Sequence, residues 1–145
     1  MLHLEFNSDS ENEGIARIVT SAYIMRFDPD MEEMEDVKTA VSEAVTNAII
    51  HGYDGVTGKE QNQVYIHCLL NRDVLQVEVI DEGKGIEDVE KAMEPMYTTK
   101  PDMDRSGMGF AFMEAFMDEV HVSSAVGSGT LVCMKKRLNE CDDDI

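Results

Sequence analysis

Basic residues are scarce in this chain. Twelve lysines and arginines stand against 30 aspartates and glutamates, a formal net charge of −18 over 145 residues. Affinity for nucleic acid comes largely from Lys and Arg displacing counterions from phosphate, so the deficit excludes a generic nucleic-acid binder. It equally disfavours anionic membrane surfaces. A basic protein partner remains compatible, because complementary fields speed encounter. Cysteine is sparse too. Cys68, Cys133 and Cys141 are odd in number, widely spaced and form no C-x-x-C, which argues against a disulfide framework and a zinc knuckle. No apolar run approaches the roughly 18 residues of a membrane span, and residues 1–6 lack the basic-then-apolar pattern of a secretory signal. Internal repeats and interdomain linkers are missing, as are the P-loop, H-E-x-x-H, G-x-S-x-G and EF-hand patterns. The expectation is a soluble, cytoplasmic protein in a reducing compartment.

What is present is enough for one domain. A hydrophobic fraction of 43% opposes disorder despite the charge, and a chain near this length buries roughly 70% of its unfolded surface. Leu2, Leu4 and Phe6 alternate with polar residues and predict a strand. Ser10 and Glu13 have capping-box spacing, and Ile15, Ile18, Val19, Ala22 and Met25 recur at helical intervals, predicting a helix over 10–27 with that stripe as its apolar face. A second helix starts at Asp30, with Glu33 three residues on, and carries Met34, Val37, Val41, Ala44 and Ala48 to a stop at His51-Gly52. Alternation predicts a hairpin of two strands, 64–70 and 75–79. A glycine loop over 81–85, a short helical stretch near 87–93 and a mobile loop over 95–106 follow. Residues 108–117 are apolar nearly all round and predict a buried helix. Strands begin at Val120 and Thr130, and the polar residues from Lys135 predict a frayed tail. The order β-α-α-β-β-α-β-β implies an α+β sandwich, with helices on one face of a mostly antiparallel sheet. Tyr65, His67 and Leu69 keep the other face from being wholly polar, which implies a covering partner or a second copy.

Four stretches could carry chemistry. Glu43 and Asn47 lie four apart on the second helix. With Glu43 at zero, the apolar stripe centres near about 130° and Asn47 falls near about 40°, at the border of core and cavity. A carboxylate and a carboxamide there suit proton acceptance and a hard cation such as Mg²⁺, although such pairs also decorate ordinary solvated helix faces. Asp81-Glu82-Gly83-Lys84-Gly85-Ile86 follows a strand directly. Its glycines allow close backbone approach, and Asp81 could accept from an exocyclic amine; a plain turn has the same composition. Arg105-Ser106-Gly107-Met108-Gly109-Phe110 precedes a helix whose N-terminus attracts phosphate, with Arg105 able to clamp a terminal phosphate. Gly127-Ser128-Gly129-Thr130 reads as a hairpin turn, with the Thr130 hydroxyl able to face what Asp81 faces.

Taken in order, Glu43-x-x-x-Asn47, Asp81-x-Gly83-x-Gly85, Ser106-Gly107-Met108-Gly109 and Gly129-Thr130 resemble the N, G1, G2 and G3 boxes of the GHKL superfamily of gyrase, Hsp90 chaperones, sensor histidine kinases and MutL. The run from Ser42 to Tyr53, with Tyr97-Thr98-Thr99-Lys100-Pro101 and Arg105-Ser106-Gly107-Met108-Gly109-Phe110, resembles the anti-sigma serine kinases of sporulating bacteria within it. The resemblance covers about residues 2–136, giving a kinase domain over 1–136 and an acidic tail over 137–145. It implies a two-layer ATP-binding sandwich, a homodimer, ATP or ADP with Mg²⁺ as cofactors, and two protein partners: the sporulation sigma factor F, and an anti-anti-sigma factor phosphorylated on serine. It further implies Glu43 as general base and Asn47 as Mg²⁺ ligand. Asp81 and Thr130 would read adenine, and Gly83, Gly85 and Ile86 would line the nucleotide. Thr98 and Thr99 would bind the nucleotide, and Lys100 and the residues to Arg105 would form a lid. Arg105 would act catalytically at the γ-phosphate, and Ser106, Gly107, Met108 and Gly109 would donate to the phosphates. No histidine-bearing helix precedes the boxes and no substrate domain follows, which weakens sensor kinase, gyrase and chaperone readings. A stress-response kinase of the same family and a non-catalytic ATP-dependent sigma-binding module remain as alternatives.

Overall fold

The computed structural model describes residues 1–94 and 109–139. Five strands form one sheet in the order β1-β2-β3-β5-β4: β1 Leu2–Asn7, β2 Gln63–Asn71, β3 Val74–Asp81, β4 Glu119–Ala125 and β5 Gly129–Arg137. Every pairing among them is antiparallel. Among the described residues, four α-helices, α1 Glu11–Met25, α2 Met31–Asn47, α3 Val89–Ala92 and α4 Gly109–Phe116, join them. The core lies between the sheet and the helices. Val64, Ile66, Cys68, Leu75, Val77, Val79, Val132 and Met134 point into it from the strands, and Val37, Val41, Ala44, Val45 and Met113 from α2 and α4. Burial pushes the Cys68 thiol up to about 11, as expected of an inert core cysteine.

Helix α2 starts as the sequence predicts. The Asp30 carboxylate accepts from the Glu33 amide at 2.7 Å, and the Glu33 side chain accepts from the Asp30 amide at 2.9 Å. Glu33 also accepts from the Asn139 amide at 2.6 Å, so a single buried carboxylate joins the helix start to the end of the described chain. The end of α2 differs from a simple glycine stop. The helix widens into a π-turn, Ala48–Gly52, a feature frequent at functional sites.

Helix α1 requires a correction. Its extent fits, but its phase is reversed. Ala16, Thr20, Tyr23 and Ile24 are buried, whereas Ile15, Ile18 and Met25 are 57%, 67% and 65% exposed. The side chain of Ser10 makes no cap hydrogen bond. Its expected partner Glu13 instead accepts from the Ser42 hydroxyl of α2, with Arg17 at 4.0 Å. Helix α4 is likewise less buried than predicted: Gly109, Phe110 and Met113 are buried, while Glu114 and Ala115 are exposed. Strand β5 runs past Met134 to Arg137, and Leu138 is buried behind it, so frayed chain does not begin at Lys135.

Candidate functional site

The π-turn, the end of β3 and the start of α4 surround a cavity of about 830 Å³. Its apolar wall is Ala44, Ala48, Val79, Ile86, Phe110 and Val132, and its polar groups include Asn47, His51, Asp81, Lys84, Lys91 and Thr130. The sequence separates these residues widely; the fold brings them together through strand register and helix packing. Asp81 and Thr130 are cross-strand partners at the end of the β3–β5 ladder. Gly109 opens α4 against Asn47: a Cβ at Gly109 would lie 3.0 Å from the Asn47 amide nitrogen. The carboxamide of α2 and the N-terminal end of α4 are therefore neighbours.

Asp81 is the most buried polar residue of the cavity, 6% exposed. Its Oδ1 accepts from the Gly83 amide at 2.9 Å, and the Thr130 amide also bonds the carboxylate. Burial outweighs these donors and pushes the carboxyl from 3.8 up to about 6. Thr130 Oγ1 pairs with Ser124 Oγ at 2.8 Å, and Ser124 Oγ accepts from the Ile86 amide at 2.7 Å. A network of hydroxyls thus ties the loop after β3 to the β4–β5 hairpin.

The glycines of that loop face protein backbone. A Cβ at Gly83 would stand 2.0 Å from the Gly52 carbonyl oxygen. One at Gly85, where φ is +78°, would stand 2.1 Å from the Ala125 carbonyl oxygen. The loop is pressed between the π-turn and the β4–β5 hairpin, with the Lys84 amide donating to Gly52 at 3.0 Å and the Gly127 amide donating to Lys84 at 2.7 Å. The Lys84 ammonium pairs with Asp54 at 2.7 Å.

Of the sequence-predicted residues, Asn47, Asp81, Gly85, Ile86, Gly109 and Thr130 line the cavity. Gly83 is not among the described lining residues and packs against the Gly52 carbonyl. Glu43 is half-buried one turn before Asn47 on α2 and is not among the described lining residues. Thr98, Thr99, Lys100, Arg105, Ser106, Gly107 and Met108 lie outside the described residues. Sequence reasoning passed over His51, Lys84 and Lys91. The residue pattern marks His51 only as part of a helix stop, and nothing in it announces the π-turn that sets it on the cavity wall. Lys84 sat within the glycine motif, and its position was the available signal.

A buried acceptor among apolar walls suits a flat heterocycle bearing an amino group. The Asn47 amide beside the N-terminal end of α4 suits oxyanions. An antiparallel sheet layered with helices around such a cavity defines a histidine kinase-like ATPase domain. The family model of that description, "Histidine kinase-like ATPase domain", matches residues 6–136. The fold also resembles a solved structure, the RsbU and RsbW domains of Rv1364c from Mycobacterium tuberculosis, with a TM-score of 0.62 and 20% identity, covering 95% of this chain and 33% of that one. Curated relatives are far more similar. An anti-sigma F factor of Thermoanaerobacter sp. is 52% identical over 138 residues, 95% of this chain and 94% of its own. That of Halalkalibacterium halodurans is 51% identical over 139 residues, 96% and 93%. That of Clostridium beijerinckii is 50% identical over 138 residues, 95% and 94%. The chain belongs to the anti-sigma F factor family.

Proposed function

We propose that the chain is a protein-serine kinase and anti-sigma factor of the sporulating cell's cytoplasm. It binds and inhibits the sporulation sigma factor F and, with Mg-ATP, phosphorylates a serine of its anti-anti-sigma factor. The observation that carries this is the convergence of Asn47, Asp81, Gly109 and Thr130, from four separated stretches, on one cavity large enough for a nucleotide. Asp81 accepts from the adenine amino group, and Thr130 lies beside it. The Asn47 amide oxygen is a hard donor at the helix face where phosphates would lie, which fits Mg²⁺. When bound, Mg²⁺ neutralises phosphate charge. Gly109, at the N-terminal end of α4, offers a backbone donor toward the phosphates, and the family resemblance assigns Arg105 to the terminal phosphate.

Phosphoryl transfer needs positioning and charge stabilisation more than covalent chemistry. The substrate serine oxygen bonds to the γ-phosphorus, the bond to the β–γ bridging oxygen breaks, and ADP leaves. Glu43 takes the serine proton. A half-buried carboxylate one turn from Asn47 is held by a rigid helix, which suits that role. Glu43→Gln, mixed with Mg-ATP and the anti-anti-sigma protein, is expected to lose phosphoserine formation by about 10²-fold or more while still binding ATP. Unchanged labelling would remove Glu43 from the role of base.

Helix α1 offers the sigma-factor surface. Ile15, Ile18 and Met25 form an exposed apolar stripe flanked by Arg17 and Arg26. The second face of the sheet, where Tyr65, Ile80 and Leu131 follow one another across three strands, serves the homodimer.

A further inference from the structure

We propose that Tyr53 is a positioning residue for nucleotide specificity: its buried phenol registers the loop carrying Asp81 against the helix carrying Asn47. The inference rests on the adenine reading of Asp81 given above.

Three consecutive amides follow Asp81, and each is held by a different acceptor. Glu82 N–H donates to Tyr53 Oη at 2.7 Å. Gly83 N–H donates to the Asp81 carboxylate at 2.9 Å. Lys84 N–H donates to the Gly52 carbonyl at 3.0 Å. Two of these three acceptors belong to adjacent residues, Gly52 and Tyr53, at the exit of the π-turn that continues α2. The phenol also donates to the Gln63 carbonyl at 2.6 Å, so it bridges the start of β2 and the loop after β3. Tyr53 is 8% exposed, and burial pushes its hydroxyl above the ordinary phenol range. It therefore keeps the proton it donates to Gln63 while its oxygen accepts from Glu82. Removing the oxygen deprives a half-buried donor, the Glu82 amide, and a half-buried acceptor, the Gln63 carbonyl, of their phenol partner, and they sit next to Asp81 and at the start of β2. Tyr65 makes an outer counterpart, donating to the Glu82 carboxylate at 2.7 Å, but that bond is exposed and holds a side chain, not the backbone.

The test is calorimetric titration of the full chain with Mg-ATP and with Mg-ITP, whose base carries an oxygen where adenine carries its amino group. Wild type is expected to prefer ATP. Tyr53→Phe is expected to lower the ATP-to-ITP affinity ratio by about fivefold to tenfold, with ITP affinity within about twofold of wild type. A purely structural loss would weaken both nucleotides together. Tyr65→Phe is expected to keep the wild-type ratio. Should Tyr53→Phe not fold, difluorotyrosine at position 53 keeps the ring and makes the oxygen a poorer acceptor, and the same direction of change is expected. An unchanged ratio in the folded Tyr53 variant overturns the proposal, as does an equal drop in Tyr65→Phe. A wild type that binds neither nucleotide overturns the reading of the cavity itself, and one that binds both alike overturns the role of Asp81.

Discussion

At the scale of single residues, Asp81 carries the clearest electrostatic signature. Its folded-state carboxyl, near 6, is raised above the ordinary 3.8 chiefly by burial. The folded state therefore holds this proton more tightly than the unfolded chain does. The resulting contribution to stability is complete below about pH 4 and is lost as pH rises through about 6, a difference of about 3 kcal/mol. Comparing wild type with Asp81→Asn by chemical denaturation across pH 4–7 isolates it: the difference between the two curves is expected to change by that order, and a flat difference would contradict the assignment. Nucleotide binding has the opposite sign. An amino group is accepted by the ionised carboxylate, so ATP affinity is expected to fall as pH drops below about 6, and Asp81→Asn is expected to lose that dependence.

At the scale of elements, what was legible in the sequence was periodicity, and what was not was phase and local distortion. Helix α2 was readable because Asp30, Glu33 and the run from Val37 to Ala48 all point to the same helix, and its cap forms as drawn. The hairpin of β2 and β3 was readable from strict alternation, with Val64 opposite Asp81. Helix α1 was misread in phase because two stripes compete for its core face. The more apolar one, Ile15, Ile18 and Met25, lies outside. The more polar one, Ala16, Thr20, Tyr23 and Ile24, packs inside, and the Thr20 hydroxyl is buried there. Close packing under the sheet selects for shape as well as apolarity, and hydrophobicity alone does not report shape. An apolar stripe of that length in solvent calls for a partner. Ile18→Asp is expected to weaken sigma-factor binding at least about tenfold and leave the thermal midpoint within about 2 °C, read by titration and by thermal melting. Unaltered binding would move the partner surface elsewhere. Asn47, Asp81, Gly109 and Thr130, one from each box, line one cavity, because each sits at the end of a readable element. The π-turn that brings in His51 leaves no trace in hydrophobic spacing.

At the scale of the whole molecule, a strongly acidic chain places two cations, Lys84 and Lys91, in the lining of its nucleotide-sized cavity beside Asp81, Glu87 and Asp88. The remaining surface favours basic partners and encounter rates that fall with salt. The sheet's second face is a ladder of mixed character. His3, His67, Glu78, Cys133 and His121 form one row, and Glu5, Tyr65, Ile80, Leu131 and Ser123 the next. Its apolar centre fits self-association. Sedimentation at micromolar concentration is expected to give twice the 16.2 kDa chain mass, and Leu131→Lys to shift it toward the monomer; a monomeric wild type would contradict the assignment.

The central claim is that this cavity holds Mg-ATP with its base on Asp81. Titrating Mg-ATP into the wild-type chain and into Asp81→Asn by calorimetry tests it most directly. Saturable binding near one nucleotide per chain in the wild type, weakened at least about tenfold by the substitution, is the expected result. No heat from the wild type, or equal binding by both, would contradict it.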